Sequence, residues 1–334
     1  MKKCLIVLGM GRSGTSALMG VLEALGVEMG SGLIAPRAEN PKGFFELADV
    51  VNINEKILNI LNSSWDDLYL LPDKWWTQDK IFNECKEEIS RILRANIEKT
   101  DILGLKDPRI SRLLPLWIEI FEELNIKTYY IIPLRNPFEI ANSLSLRAGT
   151  SLEKSILLWM NSMIDAELHT RPYPRVFTNF NDLLQKPQKT INIISNTLGI
   201  EFPRCFEKAK NDISKFLDIN LKHFNEINID ETVSPEIFTF YNLLLKNASK
   251  EEKIDEIDLS KIDEIRIRYK NLNNIFYNQE IRTINKIIKN KDELIIKQDE
   301  LIIKQKKLLK TINAKFIYFP KFLKGYNEEI DEKK

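Results

Sequence analysis

A short apolar run that ends in a glycine-rich loop constrains the fold more than any other segment. Leu5 to Leu8 are apolar, glycines stand at positions 9, 11 and 14, and apolar residues recur at helical spacing from Ala17 to Leu25. This order predicts a strand, a tight loop and a helix. Glycines let the loop turn its N–H groups inward, and the start of the helix adds unpaired N–H groups and a positive dipole end. The segment therefore predicts a site for a phosphate or a similar anion.

The loop differs from a nucleoside triphosphate loop at one decisive position. A Walker A loop reads G-x-x-x-x-G-K-[ST], and Gly9 to Gly14 has this spacing, but Thr15 stands where the lysine belongs. A different cation, Arg12, lies within the turn. Because the main cation of a triphosphate site is missing, a nucleotide kinase or NTPase is the alternative function rather than the first choice.

Length, charge and composition narrow the class of protein. The chain has 334 residues, which allows about two domains. Its net charge of +1 gives no global field that would recruit nucleic acid, so we expect partners to be chosen by local sites. Three scattered cysteines favour a reducing, cytoplasmic setting over a disulfide framework, and two histidines make a histidine-built metal site improbable.

Two further polar clusters follow predicted strands. Residues 101–105 run into Lys106-Asp107-Pro108-Arg109, residues 128–134 end at Arg135, and a fourth strand is predicted at 175–180. Helical segments separate these strands, which is typical of βαβ units with a parallel sheet. Ligand sites of such sheets lie beyond the carboxyl ends of the strands. The predicted fold is therefore α/β, a P-loop-like parallel sheet flanked by helices.

The loop from Gly11 to Ser16 resembles the phosphosulfate loop of the sulfotransferase superfamily, commonly Pro-Lys/Arg-Ser-Gly-Thr-Thr, with glycine in place of the proline. The resemblance implies a donor, 3′-phosphoadenosine-5′-phosphosulfate (PAPS), and no metal. Arg135 and Ser143 match the Arg-x7-Ser pair that this family uses on the 3′-phosphate. The residues implied in donor binding are Gly11, Arg12, Ser13, Gly14, Thr15, Ser16, Arg135 and Ser143.

The resemblance also suggests catalytic residues. Arg12 would neutralise charge as the sulfuryl group leaves, and Lys106 matches a Lys-Asp-Pro tripeptide of tyrosylprotein-type sulfotransferases, in which the lysine lies near the donor sulfate. Asp107 or Arg109 would alternatively orient the loop or the acceptor. Some branches use a glutamate after the phosphosulfate loop as the base. Glu46 is the first candidate, because apolar residues precede it and favour a carboxyl group that takes up a proton, and Glu39 is the second.

Sulfuryl transfer from PAPS to an acceptor hydroxyl, of a carbohydrate or a glycolipid, is thus the expected function. Three tryptophans between residues 62 and 76 would suit a sugar ring, although burial in the core is the better expectation for most of them. A third possibility is a non-catalytic protein that uses the same fold as a platform for assembly.

The C-terminal part of the chain changes in character. Residues 1–225 are predicted as the PAPS-binding domain and residues 226–334 as a helical extension. Residues 292–298 repeat without change at 299–305, which is typical of a coiled coil, here predicted over about 262–312 and able to form a homo-oligomer. A solvated single helix, or a helix packed on the first domain, remains possible. A basic and aromatic tail at 315–324 would suit contact with a membrane surface, another protein or the parent domain.

Overall fold

The computed structural model describes residues 2–37, 40–217, 235–248, 254–276, 284, 287–288 and 290–308. Its contacts divide the chain into two compact units, Met1–Asn274 and Ile275–Lys334. Within the described residues, no helix combines the length and the apolar character that crossing a membrane would require.

A four-stranded parallel sheet organises the first unit. The strands are β1 (Lys3–Val7), β2 (Ile102–Lys106), β3 (Lys127–Leu134) and β4 (Arg175–Asn179), in the spatial order β2-β1-β3-β4. Val7 lies opposite Lys106 on one side and Ile131 on the other, so these strands run in register toward the same edge. The predicted α/β fold with a parallel sheet is confirmed.

Helices connect and cover the strands. They are α1 (Thr15–Ala24), α2 (Ala48–Ile60), α3 (Asp79–Ile97), α4 (Ile110–Glu123), α5 (Pro137–Ala148), α6 (Leu152–Thr170), α7 (Phe180–Gln185), α8 (Pro187–Leu198), α9 (Phe206–Phe216), α10 (Pro235–Asn247) and α11 (Glu256–Phe276), with a short 3-10 turn at Trp75–Thr77.

The main hydrophobic cluster lies between the sheet and helices α1, α8 and α9. Leu5 and Val7 of β1 pack there with Leu22 of α1, Ile194 of α8 and Ile213 of α9, and all five are buried. Side chains of a strand alternate between its two faces, so the same strand also contributes to the other face of the sheet. Burial on both faces explains why β1 is apolar after Lys3, and it holds the loop after β1 on a rigid support.

Helix α10 and α11 as far as Asn274 belong to the first unit, although the sequence places them in the extension. Phe240 of α10 lies edge-on to Trp159 of α6, with ring centroids 6.0 Å apart. Arg171, the residue that follows α6, makes two hydrogen bonds of 2.9 Å with Asp263 of α11. The compact unit of the structure extends to Asn274, and the division into a PAPS-binding domain at 1–225 and a helical extension stays a prediction. Buried aromatic area and a paired guanidinium group stabilise the packing of these helices. The different composition of the C-terminal part of the chain did not indicate this packing.

The described part of the second unit includes a helix over residues 290–308. Its repeated leucines, Leu294, Leu301 and Leu308, are 58 to 63% exposed. Ile262 and Ile265, which open the predicted coiled coil, are instead buried in the first unit. The oligomerising coil stays a prediction for the residues after 276, and the tail at 315–324 lies outside the described residues.

His169 near the end of α6 gives the first unit a pH dependence. Burial, helped by the charge of Arg266, lowers the pKa of His169 from 6.5 to about 4. Below pH 6.5 the unfolded chain binds a proton that the folded chain does not, so stability falls as the pH falls toward 4. We expect the free energy of unfolding to fall by about 3 kcal/mol between pH 6.5 and 4. Urea unfolding of wild type and of His169→Gln at both pH values measures this difference. Equal pH dependence in the two proteins would show that His169 is not its cause.

Candidate active site

Three strand ends bring the predicted polar clusters to one edge of the sheet. β1 leads into the glycine loop, β2 ends at Lys106, and β3 is followed directly by Arg135. Because the strands are parallel and in register, these groups lie on the same side of the molecule. The sheet therefore places the clusters where open α/β sheets bind ligands.

The glycine loop presents an uncapped helix start. Gly9 and Gly14 have φ values of 120° and 89°, and Gly14 is the N-cap of α1 without a side chain to cap it. The ring of Phe180 packs directly over Gly14, where a Cβ atom would collide with it. Ser13 is fully buried, and its Oγ has no hydrogen-bond partner among the described residues. Free helix N–H groups and an unpartnered buried hydroxyl are what an anion site requires.

Arg12 links this loop to the helix after β3. Its φ of 74° is a left-handed conformation that costs a non-glycine residue roughly 1–2 kcal/mol. Arg12 Nε donates to Ser143 Oγ at 2.8 Å, and Arg135 donates to the Arg12 carbonyl at 3.0 Å. Arg135 also pairs with Glu139 at 2.8 Å and stacks over Phe180 at 5.0 Å. The structure thus brings together Arg12, Arg135 and Ser143.

Lys106 and Glu46 form a buried ion pair beside the loop. Their Nζ and Oε1 atoms are 2.5 Å apart, and Lys106 Nζ also donates to the carbonyl of Phe44 at 3.0 Å. Glu46 lies just before α2 and faces the end of β2, although 60 residues separate it from Lys106. The carboxylate of Glu46 is therefore held in place by a cation. Glu39, the second candidate base, lies outside the described residues.

Asp107 and Arg109 belong to the segment that follows β2 and hydrogen-bond to each other. Asp107 is fully buried and accepts hydrogen bonds from Asn54 Nδ2 at 2.9 Å and from Arg109. Arg109 Nε donates to Glu55 at 2.5 Å. With two carboxylates beside it, the pKa of Arg109 is raised despite its burial. These contacts fit the interpretation that Asp107 and Arg109 orient the segment behind Lys106.

A cavity of about 330 Å³ opens between the glycine loop and helices α2, α4, α5 and α6. Of the predicted site residues, the cavity is lined by Gly11, Arg12, Thr15, Ser16, Glu46 and Lys106. Ser13, Gly14, Arg135 and Ser143 are not among its lining residues. Among the described residues that line it, five side chains are arginine or lysine and one, Glu46, is a carboxylate. The cavity is therefore cationic, which suits an anionic ligand.

Sequence reasoning missed several residues of this site. Ser111 Oγ accepts a hydrogen bond from Gly9 N at 2.8 Å, and so fixes the start of the loop. Arg112 and Ser162 line the cavity from α4 and α6. Near Arg112, burial raises the pKa of Asp165 to about 7, while the arginine charge opposes this rise. Only the position of Ser111 and Arg112 shortly after a strand end could have indicated them.

The aromatic segment divides between core and cavity. Trp75 is 3% exposed and packs edge-on to Phe82 at 5.3 Å, while Trp76 lies edge-on to His169. Trp65 is 36% exposed and lines the cavity. One tryptophan of the three is thus available to a ligand in the cavity.

Two solved structures are similar to the chain. The sulfotransferase domain from the Synechococcus PCC 7002 olefin synthase matches at 17% sequence identity and a TM-score of 0.40, over 80% of this chain and 96% of that one. The sulfotransferase domain from the curacin biosynthetic pathway matches at 16% identity and a TM-score of 0.37, over 80% and 98%. No protein-family model matches the chain, and no curated protein matches it. At this identity and TM-score the likeness assigns no role to any residue of this chain.

Proposed function

We propose that this protein transfers a sulfuryl group from PAPS to an acceptor hydroxyl. The hydrogen bond of 2.8 Å between Arg12 and Ser143 carries the proposal. It joins the two halves of the sequence pattern, the loop at 11–16 and the Arg-x7-Ser pair, although 131 residues separate them. A glycine-rich turn without a ligand would have no need of this connection.

The residues present fit the donor. The uncapped N–H groups of α1 and the unpartnered Ser13 Oγ would hold phosphosulfate oxygens, with Thr15 and Ser16 beside them. Arg12 of the loop and Lys106 of β2 add two cations to the lining of the cavity. When bound, the donor supplies the sulfuryl group and a phosphate leaving group. The protein supplies position and charge, as in phosphoryl transfer.

The pair of Glu46 and Lys106 suits the proton transfer. As the acceptor oxygen forms its bond to sulfur and the bond from sulfur to the phosphate oxygen breaks, the acceptor proton must leave. Glu46, which lines the cavity and pairs with Lys106, takes this proton. Lys106 holds the carboxylate in place and, with Arg12, balances the charge that develops on the leaving phosphate.

A carbohydrate or glycolipid is the acceptor that we propose. Trp65 offers an exposed ring face to the cavity, and such faces suit the apolar side of a sugar ring. The cavity volume lies within the usual range for small-molecule sites.

Arg135 provides a test of the donor site. We expect Arg135→Lys to weaken binding of adenosine 3′,5′-bisphosphate at least tenfold, because lysine lacks the planar fork that suits a phosphate. Lysine is preferable to alanine here, since it leaves Glu139 with a cation. Calorimetric titration of wild type and variant with the bisphosphate and with adenosine 5′-phosphate measures the effect.

The second nucleotide separates two roles of Arg135. If Arg135 binds the 3′-phosphate, the variant loses the preference for the bisphosphate over adenosine 5′-phosphate. If Arg135 only supports the Arg12 carbonyl, both nucleotides weaken equally. Unchanged bisphosphate binding in the variant would contradict the proposed donor site, and Glu139→Gln serves as the matched control for the ion pair.

A further inference from the structure

Ser162 on α6 is a buried residue with an unused hydroxyl. It is 2% exposed, and its Oγ has no hydrogen-bond partner among the described residues. Other buried hydroxyls of the same helix bond to the carbonyl four residues earlier. Ser155 donates to Ser151 at 2.8 Å and Thr170 donates to Ala166 at 2.6 Å. Ser162 therefore departs from the behaviour of its own helix.

The unused hydroxyl borders the cavity. Ser162 is a lining residue, together with Leu158 one turn earlier on α6. A buried hydroxyl without a partner destabilises the folded chain, because it loses its hydrogen bonds to water and gains none. A ligand with a polar group at this wall would supply the missing partner. Since Ser162 belongs to a long packed helix, its position is rigid.

Apolar side chains line the cavity from α6, which carries Ser162, and from α2 and α5. They are Leu58 of α2, Leu144 of α5 and Leu158 of α6, and the partly exposed Trp65 and the cation Arg147 of α5 line the cavity as well. The predicted donor residues Gly11, Thr15 and Ser16 line it from the glycine loop. The cavity thus combines cationic side chains with apolar ones, so it suits a ligand that has both an anionic or polar part and an apolar part.

We propose that the part of the cavity lined by α2, α5 and α6 is the acceptor subsite. It holds an amphipathic acceptor whose apolar part contacts Leu58, Leu144, Leu158 and Trp65. Ser162 Oγ forms a hydrogen bond with a polar group of that acceptor. The identification of this ligand as the acceptor rests on the proposed function, but the binding of an amphipathic molecule can be tested without any transfer. An amphipathic subsite narrows a carbohydrate or glycolipid acceptor to one with an apolar portion, such as a glycolipid.

Thermal unfolding of the free protein tests the state of the Ser162 hydroxyl. Ser162→Ala removes an unpartnered group, so its melting temperature should be equal to that of wild type or about 2 °C higher. Ser155→Ala is the matched control on the same helix. It removes a hydroxyl that contacts both Ser151 and Thr150, so its melting temperature should fall. A fall of similar size in both variants would show that Ser162 has an internal partner and would overturn the proposal.

Binding of two probes tests the ligand class. In the presence of adenosine 3′,5′-bisphosphate, calorimetry should show binding of hexyl β-glucoside at least tenfold tighter than glucose, because only the former has an apolar portion. Ser162→Ala should weaken binding of hexyl β-glucoside roughly fivefold, which corresponds to one hydrogen bond. Trp65→Ala, at a partly exposed position, should weaken it further without affecting the bisphosphate.

The outcomes separate the subsite from the donor site. Binding of the bisphosphate without preference for hexyl β-glucoside over glucose would overturn the amphipathic subsite and leave the proposed function standing. Binding of hexyl β-glucoside that Ser162→Ala does not change would overturn the role of Ser162. Binding of hexyl β-glucoside with the expected variant effects but no binding of the bisphosphate would support the subsite and contradict the proposed function.

Discussion

Arg12→Ala should lower the rate of sulfuryl transfer by at least 100-fold. Arg12 lines the cavity from within the glycine loop, and Ser143 fixes its guanidinium group. Loss of one fixed donor that faces developing negative charge costs on the order of 100- to 1,000-fold in turnover. Single-turnover measurement with saturating PAPS isolates the chemical step, and titration with adenosine 3′,5′-bisphosphate reports the accompanying loss of donor affinity.

A second substitution at the same position separates function from folding. The φ of 74° at Arg12 is a conformation that glycine adopts at little cost. Arg12→Gly should therefore unfold at the temperature of wild type or above it, while transfer falls as far as in Arg12→Ala. If Arg12 contributed only to stability, Arg12→Gly would unfold at a lower temperature and keep the transfer rate. A transfer rate within fivefold of wild type in Arg12→Gly would contradict a catalytic role.

Glu46→Gln should lower the transfer rate by about 100- to 10,000-fold while the bisphosphate still binds. Glutamine cannot take the acceptor proton, but it can still accept a hydrogen bond from Lys106 Nζ, so the cavity wall keeps its shape. Two measurements are needed, the single-turnover rate of transfer and the affinity for adenosine 3′,5′-bisphosphate by calorimetry. Glu46→Asp, which keeps a carboxylate on a shorter side chain, should recover part of the rate.

Glu39→Gln is the control for the competing assignment of the base. If Glu46→Gln turns over near the wild-type rate and Glu39→Gln does not, the base is Glu39. If both variants keep the wild-type rate, neither glutamate is the base and the proton leaves by another route. A loss of bisphosphate affinity in Glu46→Gln equal to its loss of rate would indicate that Glu46 acts only by positioning Lys106.

Local sequence patterns were sufficient to predict the parallel sheet and the glycine loop. The apolar run before Gly9 and the polar residues after each strand are short-range signals, and the parallel register then brings Lys106 and Arg135 to the edge that the loop occupies. The left-handed φ of Arg12 could not be predicted in this way, because arginine has no preference for that conformation. Contacts with Ser143 and Arg135 hold it there.

Long-range partners account for most of what the sequence did not reveal. Lys106 and Glu46 were each singled out, but their ion pair depends on how the segment before α2 returns to the end of β2. Ser162 carries no local signal, because a serine within an apolar helix usually bonds to its own backbone. The packing of α10 and α11 was hidden for a similar reason, since their anchors, such as Trp159 and Arg171, lie elsewhere in the chain.

Calorimetric titration of the wild-type chain with adenosine 3′,5′-bisphosphate and with ATP shows which donor the site binds. Each nucleotide is titrated with and without magnesium. The bisphosphate should bind without magnesium and at least tenfold more tightly than ATP, because the loop has Thr15 in place of the Walker lysine. Preference for ATP in the presence of magnesium, or no binding of the bisphosphate, would contradict a PAPS site and favour a nucleotide kinase, an NTPase or a protein that uses the fold for assembly.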